Sequence, residues 1–338
     1  MLNKIKIGIL GVGHLGRFHT QNYNQIPEAE IVGVYDLDQK RGKQIADEFH
    51  VAAFENLDSL LDKVEAVSIV VPTVNHFDIT KACLERGIHC LVEKPITSTL
   101  EQADALIKLS KEKKAILQVG HIERFNPAIL ALEDLHLNPM FIESHRLASF
   151  NPRGTDVAVV LDLMIHDIDI ILHLVKSPVK KIDASGVAVI SDEVDIANAR
   201  MTFENGGVAN VTASRISQKA MRKMRIFQRN AYIGIDFLQK FSEVYRLVDS
   251  ETFRLQPNQF PIELGQIDGS NQPQKIVYER KQVEEANALK MELETFLDSV
   301  KTRKKPAVTG EDGREALRVA IEITEMIRQQ LNSFTPLK

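Results

Sequence analysis

Cysteine is scarce in this sequence: Cys83 and Cys90 are the only two in 338 residues. They flank a helix-to-strand turn without metal-ligand spacing, which suits simple burial in a reducing cytoplasm. An excess of basic charge is also missing. Lys and Arg total 42 against 46 Asp and Glu, a formal net charge of −4, so nucleic acid is not expected as the main partner. No apolar run approaches the ~20 residues that span a bilayer, and no membrane partner is expected. The opening MLNKIKIGILG lacks a small-residue cleavage site and runs straight into glycines; it reads as a first strand and not as a signal peptide. Internal repeats and low-complexity tracts are absent. What remains is 44% hydrophobic and 26% charged, a globular composition in a chain long enough for two cores.

From Lys4 to Gly120, strand-like runs (IKIGIL, EIVGVYD, AVSIVV, HCLVEK, AILQVG) alternate with amphipathic helical stretches such as FDITKACLERG and TLEQADALIKLSKEKK. That alternation predicts a parallel sheet with helices on both faces. Beyond Gly120 the runs are longer and alternate: MFIESHRLASF, KIDASGVAVI, DIANARMTF, VANVTASRI and KMRIFQRNAYIGIDF. These predict antiparallel strands, with ENGG and QRN as hairpin turns. Two helices are expected near 282–301 and 311–331, and the polar segment 251–274 reads as a long surface loop.

GILGVGHLG places Gly11, Gly13 and Gly16 as G-x-G-x-x-G after a strand and at the start of a helix. The first glycine makes the tight turn, the second lets the backbone approach a pyrophosphate, and the third allows helix to pack on strand. Asp36 ends the next strand, 20 residues beyond Gly16. A carboxylate there accepts ribose hydroxyls and repels a 2′-phosphate, which favours NAD over NADP. Lys40 and Arg41 nearby keep NADP as the lesser alternative.

The segment LDLMIHDIDIILHL, residues 161–174, reads as an oily helix with Asp162, His166, Asp169 and His173 at i, i+4, i+7 and i+11. That spacing predicts one polar face, and such groups are costly to bury unless partnered. The face could serve chemistry or share a metal ion between imidazole and carboxylate. Asp169 and His173 could equally be satisfied core polars.

Several pieces together resemble one family. VPTVNHFDITKACLERGIHCLVEKP holds Pro72-Thr73, then His76, then Glu93-Lys94-Pro95; GHIERFNP, the Asp162-x-x-x-His166 pair and ELETFLDSV…PAVTGEDGREAL follow. The chain is similar throughout to the glucose–fructose oxidoreductase, inositol dehydrogenase and rhizopine-catabolism family (Gfo/Idh/MocA). The resemblance implies an α/β fold, with an NAD(P)-binding Rossmann domain over 1–122. A substrate and oligomerisation domain over 123–338 would carry a large open, mostly antiparallel sheet joining a homodimer or homotetramer. It places catalytic roles on Lys94, Asp162 and His166. Cofactor contacts are expected from His14, Leu15, Pro72, Thr73, His76, Glu93 and Lys94, beside the glycines and Asp36. A lysine aimed into the site would repel a cation, so no metal is expected. A cis Lys94–Pro95 bond is one way to aim that lysine.

The activity implied is hydride transfer between NAD and a secondary hydroxyl of a sugar. An unperturbed imidazole, titrating near pH ~6.5, suits His166 as the base. Lys94 would act as electrostatic partner and proton relay, and Asp162 as a positioner. By chain order Arg124, Asn126, Arg146 and Arg153 are further substrate candidates, with His166. Six basic residues from Arg215 to Arg229 with no acid among them could bind a diphosphate or guard a strand edge. Within the family, GHIERFNPA and this basic strand most resemble members that oxidise the 3-hydroxyl of UDP-N-acetylglucosamine. Dehydrogenases of free sugars or inositols, and non-catalytic cofactor-sensing regulators, are the alternatives.

Overall fold

The structure, a computed structural model, describes residues 4–150, 157–249, 262–267, 274–283 and 286–333. In chain order the first elements are β1 (Ile5–Leu10), α1 (His14–Tyr23), β2 (Ala29–Tyr35), α2 (Gln39–Phe49), β3 (Ala52–Phe54), α3 (Leu57–Leu61), β4 (Ala66–Ile69), α4 (His76–Glu85), β5 (His89–Glu93), α5 (Leu100–Lys113) and β6 (Leu117–Gly120). The strands pair in parallel in the order β3-β2-β1-β4-β5-β6. β4 and β5 are buried at every position, as strands covered on both faces must be. The helices end by ordinary capping. In α5, Thr99 accepts from the Gln102 N–H, Lys111 and Lys113 sit in the last turn, and Lys114 takes the left-handed conformation that stops it.

Next come α6 (Pro127–Leu130), β7 (Phe141–Leu147), a π-helical turn (Val160–Met164), α7 (Ile165–Val175), and strands β8 (Val179–Val187), β9 (Ile196–Phe203), β10 (Val208–Ser214), β11 (Met221–Gln228), β12 (Ala231–Asp236), β13 (Phe241–Asp249), β14 (Ile262–Ile267) and β15 (Gln274–Lys281). Helices α8 (Ala288–Thr302) and α9 (Gly310–Ser333) close the chain. The nine strands form one sheet, β14-β15-β13-β12-β11-β7-β10-β9-β8. It is antiparallel except where β10 runs parallel to β7. Part of the segment expected to be loop is therefore strand β14; the rest of it, except Gln274, lies outside the described residues.

By its contacts the chain divides into Met1–Phe125 with Asn287–Arg318, and Asn126–Ala286 with Val319–Lys338. Residues 287–318 thus group with the first unit and not with the rest of the stretch 123–338. The reason is packing: Leu289, Leu293, Phe296, Leu297 and Val300 of α8 share a core with Ile5, Ile7 and Ile9 of β1. In the second unit α7 buries Ile165, Ile168, Ile170 and Ile171. The outward positions of five adjacent strands carry Phe141, Phe227, Tyr232, Tyr245 and Tyr278, paired in register. Their ring centroids lie 4.9–5.7 Å apart in a continuous ladder. Among the described residues no helix is long and apolar enough to cross a membrane.

Candidate active site

At the carboxyl ends of the first unit's strands lies a cleft of about 630 Å³, lined by Gly11, Gly13, Asp36, Thr73, Glu93 and Lys94 among others. Ligands bind at this edge of open parallel sheets, where the strand order reverses. Gly11 has φ +84°, and a Cβ there would fall 2.6 Å from the Val70 carbonyl oxygen. A Cβ at Gly16 would lie 1.9 Å from the Gly11 carbonyl oxygen, so helix and turn touch only because both are glycine. Gly13 differs. A Cβ there would meet nothing within 4 Å, so no protein atom requires glycine at that position. The open space faces the start of α1, where no side chain caps the helix and no acid stands in the first turn. Free N–H groups beside open space are what a pyrophosphate needs.

Asp36 is fixed by the backbone. Its Oδ2 accepts from Val12 N–H at 2.7 Å and its Oδ1 from Asp38 N–H at 2.9 Å. Two carboxylate oxygens keep lone pairs enough for vicinal hydroxyls. Arg41, the residue that kept NADP open, donates from Nε to the Val12 carbonyl at 2.9 Å and from Nη2 to the Gly13 carbonyl at 3.4 Å. It ties down the glycine turn instead of awaiting a 2′-phosphate. The residues therefore fit a dinucleotide, and the apolar Leu37, Leu57 and Ile79 complete the walls. Leu37 is 80% exposed directly after Asp36; the sequence reading passed over that signal.

The other expected cofactor residues divide. Leu15, Pro72, Thr73 and His76 line the cleft. His14 is not among the lining residues and sets its ring edge-on to Phe18, centroids 5.2 Å apart. His76 is buried, its Nδ1 2.8 Å from the Pro95 carbonyl and its Nε2 2.9 Å from the Val71 carbonyl. Burial lowers its pKa from the ordinary histidine value, against the pull of those carbonyls. Its nitrogens join the loop after β4 to the loop after β5. Lys94, half-buried, follows β5, and the Lys94–Pro95 bond is cis.

In the second unit Asp162 falls within the π-turn and His166 in the first turn of α7, both half-exposed. The π-turn corrects the expectation of an unbroken α-helix. Its i→i+5 bonding alters the angular step on which the i, i+4 stripe depended. Asp169 is buried and His173 exposed, so the four residues do not share one environment. Among the described residues no group of three or more His, Cys, Asp or Glu is gathered as metal ligands.

The candidate substrate arginines also part ways. Arg146 is buried against Asp167, Nε to Oδ2 2.5 Å, with Ser144 Oγ donating to Asp167 Oδ1 at 2.7 Å. This is a structural ion pair, and Asp167 was not foreseen. Asn126 caps α6 through Ala128 N–H at 3.1 Å and donates to the Phe237 carbonyl at 3.3 Å, which gives its amide work inside the fold. Arg124 is half-buried near enough to Asp312 to lower that carboxyl's pKa, though burial is the largest influence there and acts to raise it. Arg153 lies outside the described residues.

The basic run does not guard a strand edge, because β11 sits between β12 and β7. Within the run Arg215 lies near Asp195, Lys223 pairs with Asp236 at 3.1 Å, and Arg225 pairs with Glu143.

Comparison with known proteins agrees with this geometry. Residues 5–121 match the oxidoreductase family with an NAD-binding Rossmann fold, and residues 141–233 match the GFO/IDH/MocA C-terminal domain. The UDP-N-acetylglucosamine 3-dehydrogenase of Acidithiobacillus ferrooxidans is 37% identical over 94% of this chain and 96% of its own length. A solved structure of that enzyme superposes with a TM-score of 0.86, covering 97% of this chain and 99% of the other. The myo-inositol 2-dehydrogenase of Thermotoga maritima is 25% identical over 93% of each chain. With both domains matched and one dehydrogenase similar along nearly the whole length, the chain belongs to the Gfo/Idh/MocA family and is an NAD-binding oxidoreductase.

Proposed function

We propose that the protein oxidises the 3-hydroxyl of UDP-N-acetylglucosamine to a ketone, with NAD⁺ as hydride acceptor. One observation carries this reading: the 37% identity to a UDP-N-acetylglucosamine 3-dehydrogenase extends over 94% of the chain. His166 is proposed as the base that takes the hydroxyl proton; it is half-exposed in the first turn of α7. Lys94 is proposed to steady the developing alkoxide and relay the proton, and Asp162 to orient substrate hydroxyls. Arg124 and Arg153 are proposed contacts for the diphosphate.

Mixing the protein with NAD⁺ and UDP-N-acetylglucosamine should raise absorbance at 340 nm, with little change for free N-acetylglucosamine or myo-inositol. A faster rate with either free compound would contradict the nucleotide-sugar reading.

The protein is further proposed to assemble as a homodimer or homotetramer through the nine-stranded sheet. Support comes from the five-ring ladder on its half-exposed face, since aromatic residues are enriched at interfaces. A monomeric mass by light scattering would refute it. Free, buried Cys83 and Cys90 accord with a cytoplasmic setting.

A further inference from the structure

Glu93 ends β5 at the cleft wall, and the acid–base chemistry proposed above does not use it. His19 of α1 is fully buried, with Nε2 3.1 Å from Glu93 Oε1. The other ring nitrogen, Nδ1, is buried without a hydrogen-bond partner. An imidazolium would leave an N–H donor there with no acceptor, a heavier cost than an unmet lone pair beside an uncharged ring. Nε2–H therefore donates to the carboxylate, and Nδ1 is left as the acceptor side of the ring. Gly120, ending the neighbouring β6, makes the room: a Cβ there would lie 2.9–3.0 Å from the carboxylate carbon and both its oxygens. Three elements thus hold one carboxylate in place, with the His19 ring as its side-chain hydrogen-bond partner among the described residues.

The strand order β2-β1-β4-β5 sets Asp36, the glycine turn and Glu93–Lys94 in sequence along the sheet edge. With a ribose on Asp36 and phosphates at the start of α1, the second nucleoside falls toward β5, about 14 Å from β2 at three strand spacings. That ring is cationic when oxidised and neutral when reduced. Lys94 beside it is a cation in its ordinary state and disfavours the oxidised ring.

We infer that Glu93, positioned by His19 and Gly120, offsets the Lys94 charge and biases the cleft toward the oxidised cofactor over the reduced one. The inference rests on NAD binding in this cleft. In a partly buried site a unit charge within about 6 Å of the ring changes binding by tenfold or more.

The test is a ratio of dissociation constants, Kd(NADH)/Kd(NAD⁺). NADH is titrated by its own fluorescence, which no tryptophan in this chain obscures, and NAD⁺ by displacement. Glu93→Gln keeps the shape and the acceptor for His19 but removes the charge, and should lower the ratio at least tenfold. His19→Leu should lower it by less, while His19→Gln, which retains a donor, should stay within about twofold of the parent protein. An unchanged ratio in Glu93→Gln, with NADH still bound, overturns the inference and leaves NAD binding intact. An equal fall in His19→Gln and His19→Leu overturns the positioning role of His19. Failure of the parent protein to bind either cofactor overturns both readings.

Discussion

Replacing Lys94 or His166 with alanine is expected to lower kcat at least a hundredfold, while the dissociation constant for NADH changes no more than a few-fold. Proton transfer by a positioned side chain contributes ~10²–10⁴ in rate, and stabilising a developing oxyanion contributes comparably. The two losses should not multiply in the double variant, because groups that act in one step fail together. Cofactor binding should survive because the cleft's other holding points, Gly11, Gly13 and Asp36, are untouched. Steady-state rates with saturating cofactor, beside NADH fluorescence titrations, give both numbers. Rates within tenfold of the parent for either variant would remove that residue from the chemistry.

Asp167→Ala should be the most damaging substitution to the second unit's stability. Arg146 and Asp167 are each about 2% exposed in their side chains, and Ser144 adds its own bond to the carboxylate. Removing the acid takes the Asp167 charge away from a buried guanidinium, at a cost of ~3–5 kcal/mol. In a unit of this size that is roughly 6–20 °C in the midpoint of its thermal transition. The pair Arg146→Met with Asp167→Leu should recover most of the loss, since apolar side chains of similar volume replace a buried ion pair at little cost. Differential scanning calorimetry of the single and double variants measures both effects. A single variant that melts with the parent would show that the ion pair does not stabilise the fold.

The sequence announced the parallel sheet because its strands are buried on both faces and read as short apolar runs, as AVSI and HCLVE do. β3 escaped notice because three residues, Ala52–Phe54, carry no period. The π-turn at Val160–Met164 was invisible for a different reason: it changes hydrogen bonding without changing composition. An amphipathic pattern says that α8 has an apolar face, not which core covers it, so the return of 287–318 to the first unit could not be read. Gly11, Gly13, Gly16 and Asp36 were legible because their work is local to one turn and one strand end. The partners of Arg146, Arg41 and Glu93 were not. Each pairing joins residues between 21 and 74 positions apart or binds a backbone carbonyl that has no sequence signature.

The proposed reaction breaks one bond, the C3–H of the sugar in UDP-N-acetylglucosamine. Incubating the protein with NAD⁺ and substrate deuterated at C3 tests it most directly. Proton NMR should find the deuterium at C4 of the reduced nicotinamide, together with a 3-keto sugar nucleotide. Reduced cofactor carrying no deuterium, or a ketone at another carbon, would contradict it.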